Sequence, residues 1–444
     1  MNKINLVIFS SALHDSTSVM GSRLELFEGL RRFAEIETIY PSMLVARRPI
    51  QGMIDGGGSE SSRKLVNIDQ EKTVCFIATG GTEEMFRSFI DMLPRPVLLL
   101  CDGLHNSLAA SLEIKSYLAQ RNIPCALFNA PLDDTPDFYA SFAERMFGPK
   151  ARPDTTTLYQ PLPKFKRSVV KAFEKSRIGL IGGASDWLIA SDIDREAVEK
   201  AYGVKFIDIP LKEVESDFRS TGGDDPEIGS ICLRMERYLT GDRTPDNLKD
   251  AARMYLALRK VCARNSLNAL TIKCFGIIDS CRTTACLALS LLNDEGIVSG
   301  CEGDIPALWT MMYVRFALGL PAFMANPSST NRKECTMDFA HCTIPLGMVH
   351  GYRLPSHFES QIGIGIAGSV PSGRYRIVKF TGTQLDQYYE TEGDIIMNTN
   401  IPQRCRTQIR FRFSSEEEFD RFFRVSKGNH IILCKAAGQG GPLR

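Results

Sequence analysis

Two carboxylates stand close together in residues 300–304 (GCEGD), directly before an apolar stretch with helical spacing. Asp304 falls at the predicted start of that helix, where an aspartate commonly caps the chain and an acidic side chain suits the helix dipole. The neighbouring glycines and apolar residues instead favour a partly buried turn around Glu302, and a buried carboxylate needs a partner such as a metal ion. Spacing alone leaves the structural and the metal-binding interpretation open.

Most of the histidines come late in the chain: His341, His350, His357 and His430 are four of only six. His341 and His430 lie in the strand-like segments FAHCTIP and GNHIILC. A single buried histidine is commonly a hydrogen-bonded core residue, but two on neighbouring strands close to Glu302 would form a mixed oxygen and nitrogen set. Such a set suits Mn²⁺, Fe²⁺, Co²⁺ or Zn²⁺. The sequence predicts this candidate site without showing that its members converge.

Nucleophile and phosphate-binding motifs are missing from the sequence, which contains no GxSxG, HExxH or P-loop. The glycine pairs in IATGGTEE and LIGGASDW lack the dinucleotide fingerprint, and they favour tight turns that can still face a ligand. Cys301 and Cys342 adjoin candidate ligands, but nothing indicates a thiolate role. The 13 cysteines lie mostly in apolar runs. Without paired CxxC motifs they predict buried, reduced thiols rather than a cysteine-rich zinc site.

The chain has 444 residues, a formal net charge of +1, and 43% hydrophobic and 24% charged residues. This balance is typical of a globular protein. The lack of a basic excess argues against a nucleic-acid partner. No apolar run reaches the ~20 residues of a membrane span. The first residues enter a strand-like run without a signal peptide, so we expect a cytoplasmic protein.

The elements that must position these residues begin with alternating strands and helices. Apolar runs such as TVCFIAT and VLLLC, separated by amphipathic helices, predict a parallel sheet covered on both faces. A linker rich in Pro, Thr and Lys over 149–168 precedes a second α/β unit, whose strands include RIGLIGG and VKFIDIP. A further strand is expected over 269–278, and further helices over 281–292 and 306–318.

After residue 335 the chain changes to short runs separated by glycine and proline. Period-2 alternation over 374–380 (RYRIVKF) and 408–413 (QIRFRF) predicts antiparallel strands in a small barrel or sandwich. We therefore expect an α/β fold with two Rossmann-like parallel-sheet domains, residues 1–155 and 156–265. A C-terminal domain, residues 266–444, would carry the candidate metal site.

Several segments together resemble the L-fucose/L-arabinose isomerase superfamily, nearest its fucose-isomerase-like branch: SLLNDEGIVSGCEGDIPALWTMM, GLPAFMANPSS, FAHCTIP, GNHIILCK, FIATGGTEEMF, HNSLAASLEIKSYL and IGLIGGASDWLIASDID. The resemblance covers nearly the whole chain. It implies two α/β domains followed by a C-terminal domain with a β-barrel. It also implies aldose–ketose isomerisation of free sugars with a divalent metal, typically Mn²⁺, in a homo-oligomer (trimer or hexamer) with active sites between subunits.

The resemblance also assigns site residues. Glu302 matches the family's first glutamate ligand, His430 its late histidine, and His341 the extra histidine of the arabinose type. The second carboxylate is absent: fucose isomerases have an aspartate where Asn326 stands, and arabinose isomerases a glutamate at the position before it. Asn326 can give a metal one oxygen but cannot accept a proton.

Acid–base chemistry is therefore expected from Glu302, as metal ligand and proton shuttle, with Asp304 or a metal-bound water as its counterpart. A metal would stabilise the charge of an enediolate, while a carboxylate moves the proton between C1 and C2. Two alternatives to the isomerase function stay open. One is a sugar-binding relative that no longer isomerises, which the missing acid favours. The other is an epimerase or lyase that uses the same metal-stabilised enediolate chemistry.

Other residues are candidates for contacting the sugar. His357 precedes the glycine-rich QIGIGIAG and lies either in the pocket or in a surface turn. Trp309 and Trp187 could stack on a sugar ring, or pack in the core. Arg374 belongs to a set of arginines that alternate on the barrel-like strands, which indicates a solvated face or a grip on a phosphate, carboxylate or sulfonate.

Overall fold

The protein is described by a computed structural model over residues 2–12, 14–40, 73–132, 136–147 and 159–436. The predicted boundary between residues 155 and 156 and the first half of the predicted linker, residues 149–158, lie outside these residues. The described chain forms two parallel sheets and a closed antiparallel barrel. The predicted fold class is therefore confirmed.

The first sheet takes its strands and helices from the N-terminal part of the chain: β1 (Asn2–Phe9), α1 (Ser16–Gly21), α2 (Leu24–Arg31), β2 (Ala34–Ile39), β3 (Thr73–Ile77), α3 (Glu83–Phe89), β4 (Val97–Cys101), α4 (Ser107–Gln120), β5 (Cys125–Asn129) and α5 (Pro136–Phe147). The strand order is β2-β1-β3-β4-β5, and all pairs are parallel. Val7 and Phe9 join one hydrophobic cluster, while Leu6 and Ile8 join another. Burial on both faces explains why these strands are apolar throughout.

The second sheet has the order β7-β6-β8-β9, again with parallel pairs. Its elements are α6 (Arg167–Glu174), β6 (Arg177–Ile181), α7 (Arg195–Tyr202), β7 (Lys205–Ile209), α8 (Leu211–Ser220), α9 (Pro226–Met235), α10 (Pro245–Asn265), β8 (Ala269–Ile272), α11 (Ile278–Cys281), α12 (Cys286–Asp294), β9 (Val298–Cys301) and α13 (Ile305–Tyr313). Because β8 and β9 come after residue 265, the predicted division between residues 265 and 266 runs through this sheet.

The barrel consists of six strands in the order β10-β11-β16-β15-β14-β17, and β17 pairs with β10 to close it. Its elements are β10 (Phe323–Asn331), β11 (Thr336–His341), β14 (Gly373–Thr381), β15 (Gln387–Asn398), β16 (Thr407–Phe413), α14 (Glu416–Arg424) and β17 (Ile431–Lys435). A separate pair, β12 (Gly351–Arg353) and β13 (Ala367–Ser369), lies between β11 and β14. One hydrophobic core joins the second sheet to the barrel.

Two predicted elements differ from the structure. The expected strand over 269–278 ends at Ile272, and the chain then turns into helical segments. A short buried apolar run fits strand and helix equally well, so periodicity could not separate them. The helix expected over 281–292 begins only at Cys286. None of the described helices is both long and apolar enough to cross a membrane.

Candidate functional site

Glu302 follows the last strand of the second sheet and has a left-handed backbone, with φ of +62°. A non-glycine residue in this region costs roughly 1–3 kcal/mol, so its surroundings must hold it there. The backbone N–H of Ser185 donates to the Glu302 carbonyl over 2.9 Å. The indole of Trp187 donates to Glu302 Oε2 over 2.5 Å. Glu302 is thus held through both its backbone carbonyl and its carboxylate.

The LIGGASDW loop after β6 forms the seat for this turn. Gly303 also has a positive φ, +75°, and a Cβ there would lie 2.2 Å from the Gly183 carbonyl oxygen and 2.6 Å from Ala184 Cα. The loops after β6 and β9 therefore touch backbone to backbone at the carboxyl ends of these two strands of the second sheet. The tight turn that the glycine pair in LIGGASDW predicts accounts for the geometry of this loop.

The barrel register brings three further side chains to one place. Asn326 of β10 pairs with Ala340, the residue before His341. Residue 325 pairs with residue 431, directly after His430. All three side chains are buried at this end of the barrel.

Glu302 meets these side chains from the second sheet. Its Oε1 lies 3.4 Å from His430 Nε2 and 3.7 Å from His341 Nε2. Cys301 Sγ lies within 4.8 Å of the ligand atoms of Glu302 and His341. The structure thus brings Glu302, His341 and His430 together; their role as metal ligands stays a prediction.

Asn326 adds an unused acceptor to the same wall. Its Oδ1 is buried and has no hydrogen-bond partner in the part of the chain that the structure describes. A buried amide oxygen without a partner is costly, which favours a ligand at this position. One carboxylate, two imidazoles and one amide oxygen are a donor set that fits a divalent transition-metal ion.

Asp304 has a positioning role in this arrangement. Its Oδ1 accepts the backbone N–H of Ala307 over 2.7 Å and caps α13, while its Oδ2 accepts from His430 Nδ1 over 2.9 Å. The hydrogen bond leaves Nε2 of His430 directed at Glu302, a carboxylate–histidine arrangement typical of metal sites. Lys379 Nζ lies 3.7 Å from the same oxygen. Both oxygens of Asp304 are engaged and the side chain is fully buried, which favours a positioning role over the predicted acid–base role.

The shifted pKa values of the buried groups indicate different roles for them. Burial acts to raise the pKa of Glu302, but His430 and His341 outweigh it and hold that pKa well below its usual range. Burial acts to lower the pKa of His430, and Glu302 and Asp304 raise it to about 9. Burial lowers the pKa of His341. Glu302 therefore stays ionised, which suits a ligand better than a base.

A partly open cavity lies in front of Glu302 and Asn326. The other lining residues come from both sheets and from the loops beside the barrel: His14, Gly80, Gly81, Glu83, Asn106, Ala109, Ala110, Trp187, Phe275, Glu359 and Asn429. His357 is not among the lining residues, but it contacts two of them: Glu359, whose Oε2 lies 3.2 Å from its Nε2, and Phe275, whose ring centroid lies 5.5 Å from that of its imidazole. Asn106 donates to the other oxygen of Glu359 over 2.7 Å.

Glu83 is the group in this cavity that sequence reasoning missed. It lies in the first turn of α3, directly after the IATGG turn, and its Oε2 is buried without a hydrogen-bond partner among the described residues. Burial raises the pKa of Glu83 to about 8, and Glu113 and Glu302 add to the shift. The available signal was its position after a strand and a glycine pair, because such a turn can face a ligand.

Two predicted sugar-contacting residues lie elsewhere. Trp309 is fully buried and stacks on Phe173, with ring centroids 4.4 Å apart, so the core-packing interpretation describes it. Arg374 is partly exposed on the barrel wall, where its guanidinium lies 3.6 Å from both Glu392 and Asp394. Neither lines the cavity, since Trp309 packs inside the core and Arg374 belongs to an ion-pair ladder on the barrel wall.

Comparison with known proteins gives the chain distant relatives. No protein-family model matches it. The chain is similar to sulfoquinovose isomerases. That of Clostridium sp. (strain MSTE9) is 28% identical over 207 residues, covering 42% of this chain and 46% of the relative. That of Alkalicoccus urumqiensis is 25% identical over 258 residues, covering 53% and 57%.

The sulfoquinovose isomerase of Priestia aryabhattai is 24% identical over 180 residues, covering 39% of each chain. The chain spans about half the length of the curated relatives it matches. These relatives agree with the predicted resemblance to sugar isomerases. The fucose-isomerase-like branch stays a prediction.

The contact between the two loops predicts a strong effect of Gly303→Ala. The new Cβ would meet the Gly183 carbonyl, and we expect a loss of roughly 2 kcal/mol or more of stability. Gly241→Ala is the matched control, because Gly241 has φ of +71° but open space around it; there we expect about 1 kcal/mol. Thermal unfolding compares the two. Equal losses would contradict the proposed seat for Glu302.

The buried carboxyl of Glu83 predicts a pH-dependent stability. Its pKa is about 8 in the folded protein and 4.5 ordinarily, so the folded state holds the proton more tightly and stability falls as pH rises between these values. Glu83→Gln cannot ionise, and its stability relative to wild type should increase over that range. The midpoint of urea unfolding measures this. Glu84→Gln, at the partly exposed neighbour of Glu83 in the same helix, should follow the wild-type profile; a Glu83→Gln curve parallel to wild type would refute the assignment.

Proposed function

We propose that this chain is a metal-dependent aldose–ketose isomerase of the L-fucose/L-arabinose isomerase superfamily, nearest its fucose-isomerase-like branch. The observation that carries the proposal is the convergence of Glu302, His341 and His430 with the unpartnered oxygen of Asn326 on one wall of a cavity. The similarity to sulfoquinovose isomerases supports the same reaction class. Cytoplasmic location and a homo-oligomer, trimer or hexamer, belong to this proposal.

Glu302, Asn326, His341 and His430 would hold the divalent cation, for which Mn²⁺ is the proposed identity. When bound, the cation supplies electrostatic stabilisation of the negative charge that develops on the sugar oxygens. Asp304 orients His430 from behind, and Trp187 holds Glu302.

The proton that moves between C1 and C2 needs a group with a pKa near neutrality. Glu302 is held ionised by two histidines, Asp304 has both oxygens engaged, and Asn326 cannot accept a proton. Glu83 offers an unpartnered carboxyl oxygen in the same cavity. We therefore assign the proton transfer to Glu83, and Glu302 keeps the ligand role alone.

The substrate is a free or anionically substituted sugar. The name sulfoquinovose isomerase indicates a sulfonated sugar for the relatives. The described residues that line the cavity here include carboxyl groups and amides but neither lysine nor arginine, which favours an uncharged sugar. An activity assay therefore needs both kinds of aldose.

Removing the carboxylate of Glu302 tests the ligand assignment. In Glu302→Gln, Mn²⁺ affinity, followed by electron paramagnetic resonance of the free ion, should fall roughly tenfold or more, and turnover should fall roughly 10²–10³-fold. Glu334→Gln, at an exposed glutamate, is the matched control and should leave both unchanged. A Glu302→Gln protein with normal metal content and turnover would overturn the proposed site.

Removing the proton-transfer group should separate chemistry from metal binding. Glu83→Gln should lower kcat roughly 10²–10⁴-fold while Mn²⁺ affinity stays at the wild-type level, because Glu83 is outside the ligand set. Glu84→Gln, on the same helix, should keep wild-type kcat. Loss of Mn²⁺ binding in Glu83→Gln would place this residue among the ligands, and unchanged kcat would remove it from the reaction.

A further inference from the structure

Two thiols and one imidazole meet behind the wall of the cavity, and a third thiol lies beside one of them. Cys286 Sγ lies 3.2 Å from Cys342 Sγ. The ligand atoms of Cys286, Cys342 and His357 all lie within 4.8 Å of one another. The thiol of Cys405 contacts that of Cys342. All four side chains are buried.

These four residues come from separate parts of the chain. Cys286 begins α12, Cys342 directly follows β11, and His357 and Cys405 lie in the loops before β13 and β16. The long spacings explain why the sequence predicted no cysteine-rich site. Cys301 and Cys274 form another buried thiol pair, also 3.2 Å apart. The pair of Cys286 and Cys342 differs because a third thiol, that of Cys405, contacts it.

We propose that Cys286, Cys342, Cys405 and His357 form a structural binding site for a soft divalent cation of the zinc type. Three thiolates and one imidazole are a complete tetrahedral set for Zn²⁺. With Zn–S bonds of ~2.3 Å, tetrahedral geometry requires sulfur atoms about 3.8 Å apart. The pair at 3.2 Å has to open only slightly, which side-chain rotation can supply. This proposal is independent of the proposed function.

The surroundings of His357 are compatible with this role. Its Nε2 lies 3.2 Å from Glu359 Oε2, and its Nδ1 lies 3.0 Å from the Ser360 hydroxyl. Binding through Nδ1 would displace the Ser360 hydroxyl and the long contact, 3.4 Å, from the Ser360 backbone N–H. It would leave Nε2 bonded to Glu359, as carboxylates hold zinc-binding histidines. Three thiolates and one dication leave one negative charge, and the guanidinium of Arg406, which donates to Ser356 and lies beside Phe358, is positioned to offset it.

The consequence for the protein is a fixed loop. Residues 356–362 carry both His357 and Glu359, and Glu359 lines the cavity together with Glu302. An ion bound to His357 from behind would tie this loop to α12 and β11. The ion would thereby hold one wall of the cavity in place without contacting a substrate.

Metal analysis of the full chain tests the proposal. The protein is prepared as Glu302→Gln, which disables the carboxylate–histidine set, loaded with Zn²⁺ under reducing conditions and passed through gel filtration. We expect about one zinc ion per chain by elemental mass spectrometry. Adding Cys286→Ser or Cys405→Ser should remove it, and adding Cys75→Ser, a buried thiol of the first sheet, should not.

Cobalt provides a readout that needs no cysteine variant. Co²⁺ bound to the Glu302→Gln protein should show the intense thiolate-to-cobalt absorption bands of a sulfur-rich site. Absence of these bands, retention of zinc in both cysteine variants, or absence of zinc with all thiols titratable would each overturn the proposal. So would a Cys286–Cys342 disulfide found by peptide mapping of the alkylated protein.

Discussion

The backbone contact between the loops after β6 and β9 holds Glu302 in a left-handed conformation, and the rest of the site is arranged around that carboxylate. Gly303 permits the contact because no side chain separates it from Gly183. Ser185 and Trp187, from the same loop, then bind the carbonyl and the carboxylate of Glu302. A parallel sheet provides this geometry naturally, because the ends of its strands meet at one edge.

The barrel places two imidazoles against the carboxylates at this edge of the second sheet. Asp304 starts the helix after Glu302 and also bonds to His430, so one carboxylate ties the second sheet to the barrel. His341 is oriented similarly, with the Thr343 hydroxyl 3.0 Å from its Nδ1. Both imidazoles are thus turned towards Glu302. Buried charged groups are stable only with such partners, which makes the site part of the fold's own packing.

Much of this arrangement could be predicted from the sequence, and the exceptions have physical causes. The buried strand Val97–Cys101 follows from its continuous apolar run, and the alternating barrel strands follow from their period of two. Residue types and burial made Glu302, His341 and His430 candidates, and the resemblance to the isomerase superfamily assigned them as ligands. Glu83 was missed because a glutamate in a first helical turn usually interacts with the helix dipole. Its burial depends on residues from distant parts of the chain, which line the same cavity.

Tertiary packing also determines the positions of the tryptophans, the clustered thiols and the barrel arginines. Nothing in the sequence distinguishes Trp309, which packs on Phe173, from Trp187, which reaches Glu302. The thiol cluster around Cys342 is assembled from distant segments, so no local spacing announces it. Arg374 and its neighbours alternate because a barrel wall has a solvent side, where Glu392 and Asp394 lie opposite.

The most direct test of the account is proton nuclear magnetic resonance of the Mn²⁺-loaded protein in D₂O with a panel of aldoses and ketoses, both uncharged and sulfonated or phosphorylated. The account predicts conversion of one aldose into its ketose with deuterium entering at the carbon that gains hydrogen, because a carboxyl group exchanges its proton with solvent between removal and return. Absence of both product and deuterium exchange across the whole panel would contradict it.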